Sequence, residues 1–455
     1  MRFTVKVEWQ QDDGTLATAE LGELYAGGLR SATDLGLKLS DAKPILTRLQ
    51  NIVAATQVSS YCESVRKCPS CRVPRRIKDY RERKLDSVFG TVSLTAPRFE
   101  RCQACDRPGV LSPLTALLPT RALPELGHLQ VELAAELPYA RAAAILQKFV
   151  PSTGGLSAVT TRNRTLVVGK RIERELIGEV EAPMPIVNPA KHLTVGIDGA
   201  FVKAKRDEAG GRPFEILTGR VERDRGRGHA FAIVRNLDAR AKQKVQAVLR
   251  RCGRGPQTSL TLLSDGEDGL RGVVGWFGKN CDHMLDWFHI RRRIDKLARQ
   301  LFYLPYRADF RRFLSLHGRN LDRVKYVLWN QGIEWADRAM KIFRCGLVED
   351  AWDHPEIDIK RFQEIEARLD ELRSYLYANS KAVSGYGRAF RRGERVGTAH
   401  VESTVNQLIN WRFCKKQQMS WTRSGAQGLL HVKTAALNGS LHNYIQHTQT
   451  KAIAA

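Results

Sequence analysis

Two apolar segments of this chain run into an aspartate, Leu193-Thr-Val-Gly-Ile-Asp198 and Leu260-Thr-Leu-Leu-Ser-Asp265. A glutamate follows much later in a helix-patterned stretch, His400-Val-Glu402-Ser-Thr-Val-Asn406-Gln407. Carboxylates delivered from two strand ends and a helix are the hard oxygen donors that Mg²⁺ takes, with Mn²⁺ able to substitute. Two such ions per site can lower the pKa of an attacking water or hydroxyl and stabilise a leaving oxygen. Each aspartate also has a plainer reading. Strands often end on Asp as a turn former or helix cap, and Asp265-Gly-Glu-Asp268 is itself a good cap sequence. Glu394 and Glu366 compete with Glu402 for the third place. Glu394 sits within Arg391-Arg-Gly-Glu-Arg395, where a salt bridge explains it, and Glu366 shares a charged helix face with Glu364 and Asp370. Glu402 instead opens a run in which polar Asn406 and Arg412 lie beside apolar Val405, Leu408 and Ile409, as on an amphipathic helix.

A second set of residues could hold a different metal. Cys68-Pro-Ser-Cys71 and Cys102-Gln-Ala-Cys105 are two chelating pairs on either side of Lys84-Leu-Asp-Ser-Val-Phe-Gly-Thr-Val-Ser-Leu94, a period-2 segment that reads as a hairpin around Phe89-Gly90. Four thiolates close a tetrahedral structural Zn²⁺ site and leave no position for water. Reduced cysteines without metal are the alternative. The remaining cysteines, Cys62, Cys252, Cys281, Cys345 and Cys414, lack such pairing and read as core residues. Basic residues flank the first pair, among them Arg75 and Arg76, and suit a DNA-contacting ribbon as well as a solvated face.

Downstream, Tyr139–Val150 has one apolar face, Pro151-Ser-Thr-Gly-Gly155 breaks it, and a second helix starts at Leu156. That helix carries Arg162, Asn163 and Arg164, side chains able to bond base edges and phosphates in a helix-turn-helix. A plain helical hairpin fits the same pattern.

The elements that must position these groups give a multidomain α/β protein. From Leu193 the pattern predicts three consecutive strands, a helix near 238–251, the strand running into Asp265, a helix near 270–277 and a strand at 283–285. This is the ribonuclease H-like order, in which the first and fourth strands are neighbours and can share a metal between Asp198 and Asp265. Residues 290–380 read as almost entirely helical. The predicted division is an N-terminal strand and helix segment (1–60), a zinc-ribbon-like module (61–112) and a helix-turn-helix-like module (125–185). The first part of the ribonuclease H-like core (190–290), an α-helical insertion (291–395) and a closing segment with the Glu402 helix and a basic tail (396–455) follow. Residues 1–60 are expected to hold one strand, a polar Gly-rich connection and a helix over about 40–60.

The 455 residues carry Lys+Arg 73 against Asp+Glu 48, a formal net charge of +25 that points to a polyanionic partner. Arg291, Arg292, Lys415 and Lys416 stand in basic clusters that would neutralise phosphates. Trp421 reads as a core tryptophan or as a stacking platform for an unpaired base. No apolar run approaches the ~18 residues of a membrane span, and the first residues have no signal-peptide core. A cytoplasmic protein with reduced thiols and no membrane partner is expected.

Gly196-Ile-Asp198-Gly-Ala, Leu263-Ser-Asp265-Gly, Leu285-Asp286-Trp-Phe-His289 and His400-Val-Glu402-Ser-Thr-Val-Asn406 together resemble the DDE transposases of bacterial insertion sequences. The ISKra group, related to mutator-like elements, is the nearest in pattern, and Trp411–Ala426, with Trp421 and Arg423, is similar to that group's ending. The resemblance implies that Asp198, Asp265 and Glu402 are the Mg²⁺ ligands. It implies a helical insertion before Glu402, and double-stranded DNA as partner, in the form of transposon terminal inverted repeats and target DNA. It also implies a homo-oligomer that pairs two ends. Asp286 and His289 resemble the (C/D)xxH motif of mutator-like relatives, ordering the metal ligands or touching the substrate strand together with Asn406. A buried histidine beside a capping aspartate explains the same spacing. A metal-dependent nuclease on the same fold, or a domesticated transposase that only binds DNA, are the rival readings.

Overall fold

Alternating polar and apolar residues make Arg2–Gln10 (β1) a strand, and Leu16–Tyr25 (β2) pairs with it antiparallel, with a bulge at Val5/Lys6. The second strand corrects the expected polar connection. Its Ala-Thr-Ala-Glu alternation is too weakly apolar to announce a strand, and pairing with β1 supplies what local propensity lacks. The computed structural model describes all residues except 12, 106–108, 152–153, 184, 187, 207–210, 224–227, 238, 279, 304–309, 354–357, 384, 415–418 and 446–455. The side chains of 268, 271, 310, 311 and 400 are also outside the description. The chain divides into two units, Met1–Glu173 with Ala435–Ala455, and Arg174–Thr434.

In the first unit, helix α1 (Leu39–Ser64) buries Ala54, Val58 and Cys62, spaced i, i+4, i+8. That stripe packs against β4 (Gly90–Glu100), which pairs antiparallel with β3 (Ile77–Ser87) through the expected tight turn at Phe89 and Gly90. Gly90 has φ 116°, a conformation open to glycine but strained for L side chains. Leu85, Val92, Leu94 and Ala96 form the buried face of this hairpin. A short β5 (Val110–Leu111) adds to β4. Helices α2 (Pro113–Leu117), α3 (Pro124–Glu136) and α4 (Tyr139–Phe149) follow, and α5 (Ala158–Glu181) begins in this unit and ends in the second. Leu156 packs with Leu126, Leu146 and Val150 ahead of α5 instead of lying within it.

The second unit is built on a five-stranded mixed sheet. Strands β6 (His192–Val202), β7 (Phe214–Arg223) and β8 (His229–Val234) form an antiparallel meander. Helix α6 (Ala241–Arg251) leads to β9 (Ser259–Ser264), and α7 (Asp268–Val274) leads to β10 (Cys281–Leu285). The strand order is β10-β9-β6-β7-β8, with β9 parallel to both β6 and β10. The first and fourth strands are therefore neighbours, as the element pattern requires. Leu193, Val195, Ile197, Leu260 and Leu262 are almost wholly buried, each stabilising the core by roughly 1.5–3 kcal/mol.

Among the described residues, five α-helices come next: α8 (Trp287–Phe302), α9 (Phe310–Asn330), α10 (Ile333–Asp353), α11 (Ile359–Ala378) and α12 (Tyr386–Arg391). They share a core containing Ile294, Leu328, Phe343, Leu372 and Tyr386. The short α13 (Ala399–Val405) packs on β6 and β7, continues as a π-helical stretch Asn406–Cys414, and is followed by α14 (Arg423–Leu437). Among the described residues no helix is long and apolar enough to cross a membrane.

Candidate active site and metal centre

Asp198 does not end its strand. Parallel pairing of β6 with β9 stops at Gly196–Leu263, whereas antiparallel pairing with β7 continues to Val202–Phe214. The expected strand end is thus the end of one ladder only. Asp198 lies just past the last β9 partner, and Asp265 directly follows β9, so both acids belong to the crevice beyond the carboxyl ends of two adjacent parallel strands. Burial first, and the charge of Asp265 second, push the Asp198 carboxyl up to about 6. The Asp265 side chain accepts a hydrogen bond of 3.0 Å from the Glu267 amide. Gly266, at φ 75°, makes this turn, and a Cβ there would run into Leu285 and Asn379.

Glu267 is an acid that sequence reasoning left aside. Asp265 above all, then burial, raises its carboxyl above the ordinary range, and Asp198 responds to its charge as well. Glu402 is exposed on α13, with its amide donating to the Thr398 carbonyl at 3.0 Å. The oxygens of Asp198, Asp265 and Glu402 are not gathered within 4.8 Å of one another. The donor chemistry nonetheless suits a hard divalent cation: burial and the nearby Asp265 charge oppose ionisation of Asp198, and positive charge beside its carboxylate relieves that cost.

Asp286 is fully buried and caps α8, accepting from the Phe288 amide at 2.8 Å. It also pairs with His289 Nδ1 at 2.6 Å and accepts from Thr398 twice, from the amide at 3.1 Å and from Oγ1. Thr398 is the residue immediately before α13. One carboxylate therefore fastens the start of the Glu402 helix to the end of β10. The Asp286 hydrogen bond raises the His289 imidazole above its ordinary value, with Asp265 and Asp198 contributing in the same direction. From α11, Tyr375 donates its hydroxyl to the Asp265 carbonyl at 2.6 Å, and the Arg293 guanidinium sits 4.2 Å over the Tyr375 ring. Asn406 lies at the start of the π-helical stretch, where its side-chain oxygen accepts from Asn410 at 2.7 Å. Such i→i+5 windings are rare and concentrate at functional sites.

The four paired cysteines Cys68, Cys71, Cys102 and Cys105 bring their sulfurs within 4.8 Å of one another. Cys71 and Cys102 sulfurs are 3.5 Å apart, too far for a disulfide and close to the ~3.8 Å expected between ligands of a tetrahedral Zn–S centre. Arg72 follows the first pair in the left-handed region at φ 63°, and its amide donates to the Cys68 carbonyl, so the chain folds back in a tight knuckle. Backbone amides of Cys71 and Ser70 hold the Cys68 thiol down to about 7, which favours the thiolate a metal needs. This cluster could hold a metal such as zinc.

The residues read as DNA-contacting divide into two groups. Arg76, Arg162, Asn163, Arg291 and Arg292 are exposed. Arg75 is partly buried and donates to the Val65 carbonyl at 3.0 Å, and Arg164 bonds Gln130 and the Gly155 carbonyl. These two serve the fold. Trp421 is buried against Phe413 with the Arg412 guanidinium 5.1 Å over its ring, which takes it away from any base. It is a core residue, the plainer of its two sequence readings. Arg423 is half-buried above Phe214, and Lys415 and Lys416 fall outside the described residues.

No family model matches the chain, and no curated protein matches it. A Drosophila P element transposase strand transfer complex aligns at 10% identity over 76% of this chain and 82% of that one, with a TM-score of 0.26. NurA aligns at 14% identity over 53% of this chain and 72% of that one, with a TM-score of 0.10. Superpositions this loose define neither fold nor activity.

Proposed function

We propose that the chain is a DDE transposase with a ribonuclease H-like catalytic domain, a Mg²⁺-dependent polynucleotidyl transferase that cuts DNA at transposon ends and joins the freed strands to a target. The observation that carries this reading is the half-buried Asp198–Asp265 pair at the crevice of two adjacent parallel strands, with the Asp198 carboxyl pushed up to about 6. The strand order, with three antiparallel strands and a parallel pair alongside, supports the same fold. Asp198, Asp265 and Glu402 would hold two Mg²⁺ ions, which when bound would lower the pKa of the attacking water or 3′-hydroxyl and stabilise the leaving oxygen. Glu402 enters because α13 packs on the strand that carries Asp198. Asp286 and Thr398 position that helix, and Arg76, Arg162 and Asn163 are the exposed groups proposed to meet the duplex. The cysteine centre would hold one structural Zn²⁺ in the same unit as α4 and the first part of α5.

The test is Mg²⁺-dependent nicking and strand joining on linear DNA carrying the element's own ends. Asp265→Asn, Asp198→Asn and Glu402→Gln should each lower product by at least about a thousandfold, and Glu267→Gln by less than about tenfold. Equal loss in Glu267→Gln with activity kept in Glu402→Gln would move the third ligand to Glu267. Undiminished cutting in both aspartate variants would remove the reading altogether. Nicks without joined products would favour the nuclease alternative.

A further inference from the structure

Helix α8 has two stripes. Ile290, Ile294, Leu297 and Leu301 face the helical core and are almost wholly buried. The neighbouring stripe, His289, Arg292, Arg293 and Lys296, is spaced i, i+3, i+4, i+7 and lines one cavity of about 280 Å³. Across it, α11 contributes Arg368 and the acid Glu371 over the buried Leu372. Among the described lining residues, four cations thus share one carboxylate, with Glu267 near enough to feel the charge of Arg293. Arg292, Lys296 and Arg368 make no ion pair with any described acid, whereas on another face of the same helix Arg291 reaches Asp295 at 3.5 Å. The Arg368 Nε is buried without a hydrogen-bond partner. An acceptor in the cavity that reached this donor would offset the about 1–3 kcal/mol that leaving it unsatisfied costs.

Two of the cavity's lining residues relate it to the acids. His289, at one edge, responds to the charges of Asp198 and Asp265. Arg293, on the lining, lies over Tyr375, whose hydroxyl bonds the Asp265 carbonyl. The volume suits one phosphate with part of its sugar and is far too small for a duplex. Guanidinium forks and an ammonium are the donors that phosphate oxygens take.

We infer that this α8–α11 cavity is a phosphate subsite, which binds a backbone phosphodiester of the DNA strand entering the Asp198–Asp265 crevice. This rests on the transposase reading and extends it by placing the strand's path along α8, on the His289 side. A free phosphate or mononucleotide shares the same chemistry, and the experiment separates the two sources.

The full-length protein would be titrated by fluorescence anisotropy against a duplex with a single-stranded extension, over a series of salt concentrations. The variants are Lys296→Gln/Arg368→Gln and a charge-matched control, Arg319→Gln/Arg344→Gln, on exposed positions of α9 and α10. Each lost phosphate contact lowers the slope of log K against log salt by about 0.7–0.9. The cavity variant should lose between one and two such steps, and the control none. Thermal melts verify that both variants fold, and Arg368→Lys, which keeps the charge, should recover part of the slope. An unchanged slope in the cavity variant, with tight DNA binding by wild type, overturns the subsite alone. Absence of DNA binding by wild type overturns the transposase reading and the subsite together. Displacement of the oligonucleotide by inorganic phosphate or dAMP at micromolar concentration would assign the cavity to a small anion, against the strand path.

Discussion

A buried carboxylate survives only if its lone pairs are met, and Asp286 meets them with donors from three places. The α8 backbone, His289 and Thr398 all converge on it. Burial alone would raise its pKa, yet these bonds outweigh burial and hold the carboxyl below the ordinary aspartate range. The unfolded chain then binds the Asp286 proton more readily, so the contribution is present above the unfolded value of 3.8 and is lost as pH falls through the folded one. His289 shifts the other way, and its share is present below 6.5 and lost as pH rises through its folded value. The two windows overlap in mildly acidic solution. Asp286→Ala should therefore cost about 3 kcal/mol there, measured by urea melts, with a smaller gap at either extreme. Thr398→Val, which keeps the shape and the amide bond, should cost about 1 kcal/mol. A fully stable Asp286→Ala protein would mean that the clasp between β10 and α13 holds nothing.

At the scale of elements, the β3–β4 hairpin and the cysteine knuckles act as one device. The ribbon spaces the two CxxC pairs, and a metal between them would lock ends that are otherwise joined by a few backbone bonds, such as Glu100 N–H to the Arg76 carbonyl, and the short β5 pairing. One zinc per chain is expected by elemental analysis, falling to none in Cys68→Ser/Cys102→Ser. Chelation should lower the thermal midpoint of the first unit by more than about 4 °C, since more than ~1 kcal/mol is at stake. A metal-free protein with an unchanged midpoint would make the cysteines ordinary thiols. This element was readable from sequence because its signals are local: chelating spacing, period-2 alternation and a glycine at the turn. That the first and fourth strands are neighbours was readable too, from the succession of strands and helices. Other features were not. Strand β2 lacks a strong apolar face, and Asp198 lies within β6 because β7 extends that strand past the point where β9 stops. The Asp286–Thr398 clasp joins residues far apart in the chain, and no spacing rule reaches across five helices. The core role of Trp421 also needed its neighbours Phe413 and Arg412 to be seen.

The whole molecule carries +25, and part of that charge is already spoken for. Arg98, Arg235, Arg251 and Arg373 are paired with carboxylates, and Arg75 and Arg164 with backbone or amide oxygens. The cations left over, such as Arg76, Arg162, Arg292 and Lys296, occur in both units, so a polyanion can be held by each. Binding of this kind gains its free energy from released counterions and weakens steeply with salt. With only four phosphate contacts, affinity for a generic duplex should fall about a hundredfold between 50 and 200 mM salt. The carboxylates of the crevice act in the opposite sense, repelling the phosphates they are proposed to cut. Asp198→Asn/Asp265→Asn should thus bind DNA in EDTA at least as tightly as wild type, and should cut none of it once Mg²⁺ is added. Anisotropy titrations across salt, run on both proteins, test this separation of grip from chemistry. A flat salt response in wild type would leave the excess charge without a nucleic-acid role, and weaker binding by the double variant would mean the two aspartates shape the DNA-holding surface instead of opposing it.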